Sequence, residues 1–260
     1  MTSVTTLPTA PELDAMYTHE VISRVQSLST DAQSGAFDGA IALLTAAVTR
    51  GGVIQAFGTG HSEAFAMEIA GRAGGLIPTN KIALRDVVLR GSLGVDALGG
   101  STLERNPTVV DELYELASPG ADDVFIIASN SGVNGSIVGL ALTAKEHGHP
   151  VIAVTSMEHT MSVEPKHASG KRLAEVADVV IDNRAPFGDA TIELTHGIPV
   201  GAVSSITAAF IAQILTIGVA HAIAETGSTP PMYISANIPG GDEHNHSLEA
   251  LYKDKIRRDA

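Results

Sequence analysis

The chain contains no cysteine and no tryptophan, and aromatic residues make up only 4% of its 260 residues. The lack of cysteine excludes disulfide bonds and thiolate metal ligands, although it leaves the redox compartment open. Because aromatic side chains are so few, the core must be built mainly from Ala, Val, Ile and Leu. Hydrophobic residues make up 44% of the chain, which is enough for one large α/β domain, alone or with an appendage.

Basic residues and long hydrophobic runs are also scarce. The chain has 16 Lys and Arg residues against 29 Asp and Glu residues, a net charge of −13, which argues against nucleic acid and anionic membranes as partners. The N-terminus lacks the basic start and apolar stretch of a secretory signal. The most apolar region, residues 206–224, is interrupted by Gln213, Thr216 and His221 and is predicted to be a buried core helix. We expect a soluble, cytoplasmic protein.

Short apolar runs alternate with helical patterns through the middle of the chain. The apolar runs predict strands near residues 53–57, 82–88, 124–128, 151–155 and 177–181. The helical patterns fall near residues 62–73, 107–117, 134–147, 163–173 and 204–225. This alternation is typical of βαβ units, so it predicts an α/β fold with a parallel sheet.

The segments outside this alternation complete the predicted organisation. Helical spacing between residues 12 and 49 predicts a two-helix N-terminal cap, and a last helix is predicted near residues 248–256. The Gly-rich stretches 90–101 and 185–205 lack periodicity and are predicted to be loops, the first a surface loop or a lid. We divide the chain into an N-terminal arm and helix (1–34), a central domain (35–227) and a C-terminal extension (228–260).

The first strand runs directly into a glycine-rich turn, Gly58-Thr59-Gly60-His61-Ser62. The turn is not a Walker A loop, because no lysine follows at the required place, and Glu63 stands where a dinucleotide fingerprint has its third glycine. The free N–H groups at the start of the next helix can bind an anion. On its own, the turn is a weak signal, and a purely structural turn is the alternative.

A second turn of the same design follows the strand near residues 124–128. It reads Ser129-Asn130-Ser131-Gly132-Val133-Asn134. Hydroxyl and amide side chains at four of these positions, with a glycine that lets backbone N–H groups converge, can surround anionic oxygens without a Lys or Arg. A capped structural loop, with Ser131 or Asn134 as the N-cap, does not explain all four residues.

Together, the two turns resemble those of the sugar isomerase (SIS) domain family, whose members bind phosphosugars. The resemblance covers roughly residues 35–225 and implies a three-layer αβα sandwich with a five-stranded parallel sheet in flavodoxin-like order. In this family the second turn commonly reads Ser-x-Ser-Gly-x-Thr and holds a phosphate. Asn134 replaces the usual Thr here, so phosphate or a similar tetrahedral group such as a sulfonate is implied.

The same resemblance suggests where a sugar and a catalytic carboxylate would lie. The family's first turn places its Ser near sugar hydroxyls, which here implies Ser62, with His61 and the residues from Gly58 to Gly60 beside it. The helix 63–72 is similar to the matching helix of phosphoheptose isomerases, whose catalytic carboxylate falls on Glu68. Because Glu68 also lies four residues before Arg72, an ordinary helical ion pair is the alternative interpretation.

Two further segments carry candidate site residues. Asp189, Glu193 and His196 lie in the loop before the last long helix, where the SIS architecture places residues near the ligand, and Asp189 is chosen as a binding residue. In the polar cluster 242–246, we select Glu243 for binding and His244 for ring opening, with donation to a neighbouring subunit's site as one option. Divalent metal binding and a solvated turn that caps the last helix are the alternatives for this cluster.

The residues and the resemblance together predict an aldose–ketose isomerase that works through an enediol. Its substrate would be a sugar phosphate or a sulfonated hexose such as sulfoquinovose. The alternatives are a non-catalytic sugar-phosphate sensor and a SIS lyase or epimerase. The first 50 residues are too short and too acidic for a DNA-binding domain, which favours the enzyme. We expect no cofactor and no metal, and a homodimer or homotetramer with its sites near the subunit interface.

Overall fold

A five-stranded parallel sheet lies at the centre of the fold. The computed structural model describes residues 7–100, 102–195 and 197–258. The strands lie side by side in the order β2-β1-β3-β4-β5, which is the flavodoxin-like order. Their bounds are β1 (Ile54–Gly58), β2 (Thr79–Ile82), β3 (Val124–Ala128), β4 (Val151–Thr155) and β5 (Val179–Asp182). β1, β3 and β4 are buried along their whole length, as expected for parallel strands covered on both faces.

Helices cover both faces of this sheet. Those before β4 are α1 (Ala10–Gln33), α2 (Asp38–Thr49), α3 (Glu63–Ile69), α4 (Asp86–Leu89), α5 (Thr102–Arg105), α6 (Val110–Ala117) and α7 (Gly135–Glu146). Those after it are α8 (Met157–Ser162), α9 (Leu173–Val176), α10 (Ser204–Glu225) and α11 (Gly241–Glu249). One core cluster packs α1, α2, α3 and α10 against the sheet, and a second packs α6 and α7 against the other face. The predicted three-layer αβα sandwich with a helical N-terminal cap is confirmed.

The predicted second strand was wrong in its bounds. β2 ends at Ile82, and most of the apolar run after it forms the short helix α4. Asp86 explains this change, because its carboxylate accepts a hydrogen bond from the backbone N–H of Ala83 and starts a helical turn. Likewise, the helix predicted at 163–173 is replaced by α8 and α9 on either side of it.

The Gly-rich stretch between β5 and α10 was predicted to be a loop, but it contains a β-hairpin. Its antiparallel strands are β6 (Ala190–Thr195) and β7 (Ile198–Ala202). The hairpin lies against α1, where the Tyr17 hydroxyl donates to the carbonyl of Ala202 at 2.6 Å. Alternating Ile192 and Leu194 are typical of a strand and could have indicated the first one. Pro199 and Gly201 are unusual in strands, so the sequence pattern does not indicate the second.

The C-terminal extension covers the exposed edge of β2. Its helix α11 begins before the predicted span and ends at Glu249. Ala250–Tyr252, which were predicted to be α-helical, form a 3-10 turn. Beyond it, Arg258 donates to the carbonyls of Thr79 at 2.8 Å and Ile77 at 2.5 Å. A sheet edge covered in this way does not offer its free carbonyls to other strands.

α10 is the one helix in the described parts of the chain that is long and apolar enough to cross a membrane. It packs against α3 and α2 within the larger core cluster, where Ile211, Leu215 and Val219 are fully buried. Such a helix agrees with the predicted core helix, and by length and composition alone it is weak evidence for a membrane span.

Candidate functional site

The two glycine-containing turns meet at a cleft beyond the carboxyl ends of β1, β3 and β4. The cleft encloses about 270 Å³, its open mouth included. This position is where ligands bind in open parallel sheets, next to the point at which the strand order reverses. Its polar lining comes from four segments of the chain: His61, Ser62, Ser129, Asn130, Asn183, Ser204 and Ser205.

The first turn needs its glycines. A Cβ on Gly58 would overlap the backbone carbonyl of Ser62, so only glycine lets the chain fold back so tightly. Gly60 has a φ of +56°, in the left-handed region that glycine adopts without strain. The turn thereby brings His61 and Ser62 into the lining of the cleft, while Thr59 lies buried behind them.

The second turn holds Ser129 so that its hydroxyl proton is free. The backbone N–H of Gly132 donates to Ser129 Oγ at 3.1 Å, and that oxygen can therefore donate its own proton into the cleft. Gly132 has a φ of +62°, and a Cβ there would lie 3.0 Å from Thr155 Oγ1. Ser131 is half-buried in the same turn but does not line the cleft.

Asn130 is oriented by a residue from another strand. Asn183, buried just after β5, donates from Nδ2 to Asn130 Oδ1 at 3.1 Å. Its own Oδ1 accepts from the backbone N–H of Ala185 at 2.9 Å. Since Asn130 uses its carbonyl oxygen in this contact, its amide N–H groups are left to face the cleft as donors.

The first turn of α10 supplies the fourth side of the cleft. Ser204 and Ser205 line it, and the helix dipole places partial positive charge at this end. Asp189 does not line the cleft but holds this turn. Its Oδ1 accepts from the N–H groups of Val203 at 3.2 Å and Ser204 at 2.7 Å, and its Oδ2 accepts from the Ser204 hydroxyl at 2.7 Å.

The electrostatic character of the cleft follows from these side chains. Among the described residues, its lining contains hydroxyls, amides and one imidazole, with no Lys, Arg, Asp or Glu. Neutral donors together with helix N-termini suit a small anion or a hydroxylated molecule.

Glu104 connects the two turns at one side of the site. Its Oε1 accepts from Asn134 Nδ2 at 3.1 Å. Its Oε2 lies 3.6 Å from the position that a Cβ would take on Gly60. Asn134, the residue before α7, therefore uses its side chain to contact Glu104 and makes no capping hydrogen bond to the helix.

Comparison with known protein families identifies the family to which this chain belongs. Residues 16–156, more than half of the chain, match the SIS domain. The chain belongs to the SIS domain family. Curated relatives include a UPF0309 protein of Geobacillus sp. (strain WCH70), 37% identical over 217 residues that cover 82% of this chain and 85% of the relative. A UPF0309 protein of Listeria monocytogenes is 37% identical over 226 residues that cover 86% and 91%, respectively.

Solved structures share the SIS fold at low sequence identity. A phosphoheptose isomerase from Neisseria gonorrhoeae has a TM-score of 0.52 and 20% identity, over 84% of this chain and all (100%) of that chain. A protein of E. coli CFT073, solved in complex with a sugar phosphate, has a TM-score of 0.52 and 18% identity, over 82% of this chain and 90% of that chain. These likenesses support the fold.

Glu68, the carboxylate that the SIS resemblance selects, lies away from the cleft. It forms the i,i+4 ion pair with Arg72, and Gln213 Nε2 donates to its Oε1 at 2.6 Å. Ser62 and Glu68 are six residues apart on or beside α3, about 9 Å along a helix axis. Glu68 thus lies in the groove between α3 and α10, with a side chain 22% exposed.

His244 and Glu243 also lie outside the lining of the cleft. Both belong to α11, and His244 Nε2 is 2.9 Å from the carbonyl oxygen of Met232. Met232 bridges to Leu76, just before the amino end of β2, so this part of α11 lies near the opposite edge of the sheet. Asn245 lies within the helix, where its side chain makes two hydrogen bonds to the backbone of Ile234.

Of the remaining candidates from the sequence, neither Glu193 nor the polar cluster 242–246 is placed in the cleft. Glu193 is exposed on the hairpin, where its carboxylate accepts from the N–H of Gly197 at 3.0 Å, and His196 lies outside the described residues. Within the ranges described, no group of three or more His, Asp or Glu side chains is arranged to hold a metal ion.

Four site residues escaped the sequence analysis: Glu104, Asn183, Ser204 and Ser205. Asn183 follows a strand directly, which is the same signal that marks Ser129. The serine pair opens the longest apolar pattern and could have been found as a helix start. Glu104 lies just beyond the aperiodic Gly-rich stretch and gave no comparable signal.

Proposed function

We propose that the cleft binds a sugar with a terminal anionic group and that the protein is an aldose–ketose isomerase. The observation that carries the proposal is the convergence of Ser129, Asn130 and Ser62, from two different strand-to-helix turns, on one cleft at the carboxyl edge of the sheet. A phosphate or sulfonate would bind against the second turn. The sugar hydroxyls would then face His61, Ser62 and the serines of α10.

What the similar proteins are said to bind agrees with this proposal. One structural neighbour is described as a phosphoheptose isomerase, and another was solved with a sugar phosphate bound. Because their sequences are only 20% and 18% identical to this chain, the substrate cannot be transferred from them. We therefore propose the class, a sugar phosphate or a sulfonated hexose such as sulfoquinovose, and choose the sugar by experiment.

The SIS resemblance would give Glu68 the proton transfer and His244 the help in ring opening. Both lie away from the cleft of their own chain, so these roles would require a second copy that brings them to a ligand. An exposed apolar face supports such an association: Ile217 on α10 is 62% exposed and Ile206 is 40% exposed. Light scattering coupled to size-exclusion chromatography tests this part, and a monomer at micromolar concentration would contradict it.

The experiment that tests the function is NMR in D₂O with a panel of sugar phosphates and a sulfonated hexose. An isomerase exchanges solvent deuterium into C1 or C2 of its substrate while ketose appears. Binding without exchange would contradict the isomerase and leave a sensor. Exchange without ketose would indicate an epimerase, and cleavage of the sugar substituent would indicate a lyase. Neither binding nor turnover with any compound would contradict the proposed ligand class.

A further inference from the structure

The carboxylate of Glu104 is held between the two turns of the candidate site. Asn134, at the end of the second turn, donates to one of its oxygens at 3.1 Å. The other oxygen lies over Gly60 of the first turn, 3.6 Å from a Cβ position that glycine leaves empty. The backbone carbonyl of Glu104 is fixed as well, because the buried Ser136 hydroxyl donates to it at 2.6 Å.

Nothing in the described part of the chain neutralises this carboxylate. Glu104 is only half-exposed, and no Lys or Arg among the described residues forms an ion pair with it. Glu63, by contrast, is paired with Lys81 and Arg85. A partly buried carboxylate without a cation loses hydration that no paired charge replaces, which is unfavourable for stability.

The partner of Glu104 is also incompletely satisfied. The Oδ1 atom of Asn134 is buried and has no hydrogen-bond partner. Nδ2 is committed to Glu104, so this oxygen can accept a hydrogen bond only from a molecule that enters beside the carboxylate and donates from a hydroxyl group. An unused acceptor next to an unpaired carboxylate fits a polyhydroxylated ligand better than a purely structural contact.

From these contacts we infer that Glu104 is a catalytic residue, the carboxylate that moves the proton between C1 and C2 of the sugar. The inference rests on the proposed function and makes it specific. Neither Glu104 nor Glu68 is among the residues that line the cleft, but Glu104 lies beside the two turns that form it, whereas Glu68 points into a different groove, toward Gln213 and Arg72. Glu104 accepts a hydrogen bond from the second turn, and its other oxygen lies 3.6 Å from the Cβ position of Gly60 in the first turn.

The proton transfer balances without an oxidant or a cofactor. Glu104 takes the proton from C2 of the open-chain aldose, the C–H electron pair forms the C1=C2 bond, and O1 takes a proton from water. In the second half, O2 releases its proton to water, C2=O forms, and the carboxyl group returns its proton to C1. The aldose has become a ketose, and Glu104 is again a carboxylate.

The test compares Glu104→Gln with Glu68→Gln in the D₂O exchange experiment, using whichever sugar of the panel the wild type turns over. The inference predicts that Glu104→Gln loses more of the exchange than Glu68→Gln. Glutamine keeps an oxygen that accepts from Asn134, so the fold and ligand binding are expected to stay within threefold of the wild type. Exchange and ketose formation are expected to fall at least 100-fold, in the range that general base catalysis supplies. Glu115→Gln on the exposed face of α6 is the matched control and is expected to behave as the wild type.

Glu104→Asp separates chemistry from structure. This variant keeps a carboxylate on a shorter side chain, and we expect it to recover part of the exchange that Glu104→Gln loses. If Glu104→Gln folds, binds and still exchanges within threefold of the wild type, or if both variants bind and exchange equally poorly, the inference is wrong. If the wild type itself exchanges none of the sugars, the proposed function is wrong. This outcome differs from failure of the inference, in which the wild type exchanges the sugar and Glu104→Gln does so as well.

Discussion

Asn183 orients Asn130 across 53 residues of sequence, through a hydrogen bond of 3.1 Å between their side-chain amides. The pair joins the end of β5 to the end of β3, two strands that β4 separates. Because this contact decides which atoms of Asn130 face the cleft, the sheet itself determines the orientation of a side chain that lines it.

Asn183→Ala is predicted to weaken both the fold and ligand binding. The change leaves the buried Ala185 N–H and Asn130 Oδ1 without their partner, which should lower the free energy of unfolding by about 1–3 kcal/mol. We expect sugar affinity to fall roughly tenfold, since about 1.4 kcal/mol corresponds to that factor. A double-mutant cycle with Asn130→Ala, followed by urea denaturation, should give a coupling of about 1 kcal/mol. Strict additivity would show that the two amides do not interact.

Gly132→Ala is predicted to destabilise the second turn more than the backbone conformation alone explains. A Cβ there meets Thr155 Oγ1 at 3.0 Å and Thr160 Oγ1 at 3.1 Å, on a backbone with a φ of +62°. Gly148, with a φ of +84° and nothing within 4 Å, is the matched control. We expect about 1 kcal/mol of destabilisation for Gly148→Ala and about 1–3 kcal/mol more for Gly132→Ala. Equal melting temperatures for the two variants would contradict the crowding.

Asp189→Ala is predicted to reduce binding although Asp189 lies behind the lining of the cleft. Without its carboxylate, two N–H groups and the Ser204 hydroxyl lose their acceptor. Removing a helix cap typically lowers stability by about 1 kcal/mol, so the first turn of α10 should be held less firmly at the cleft. Asp189 has a φ of +72°, which asparagine tolerates well, so Asp189→Asn should lie between the alanine variant and the wild type. Calorimetric titration of the three proteins checks this order, and an unchanged affinity in Asp189→Ala would remove Asp189 from the site.

The docking of the C-terminal extension is predicted to weaken in strong alkali. Burial, and then the hydrogen bond to Glu249, raise the pKa of Tyr233 to about 12 from its usual value of 10.0. A raised folded-state pKa means that the stabilisation is fully present below pH 10 and is lost as the pH rises toward 12. The stability advantage of the wild type over Tyr233→Phe should therefore shrink between pH 10 and 12. A difference that stays constant over this range would show that Tyr233 is not coupled to folding.

The sequence was sufficient for the candidate residues that follow buried strands directly. Ser62, Ser129 and Asn130 could be brought together in advance, because parallel strands place their carboxyl ends at one edge. It was not sufficient for Asn183 and Ser204, whose approach depends on the lateral strand order and on the return of α10 over the sheet. Glu104 follows a Gly-rich stretch without periodicity, so only the folded chain reveals that it lies beside both turns.

The segment around β2 shows why strand bounds were less certain than strand existence. Leu84, Val87, Val88 and Leu89 form an apolar run that fits a strand or a buried helical turn equally well. The side chain of Asp86 decided between them through one hydrogen bond to the backbone. In the C-terminal extension, tertiary contacts of Asn245 and His244 with residues 232–234 accompany a helix that begins earlier than its periodicity predicts.

The most direct measurement is a titration of ¹⁵N-labelled protein with a sugar phosphate from the panel, followed through its backbone amide signals. We predict saturable shifts at His61, Ser62 and the turn from Ser129 to Asn134, and smaller ones at Ser204 and Ser205. Inorganic phosphate alone should shift mainly the second turn. Shifts confined to the groove lined by Arg72, Lys81, Arg257 and Arg258, or no saturable shifts, would contradict a sugar-binding cleft between the two turns.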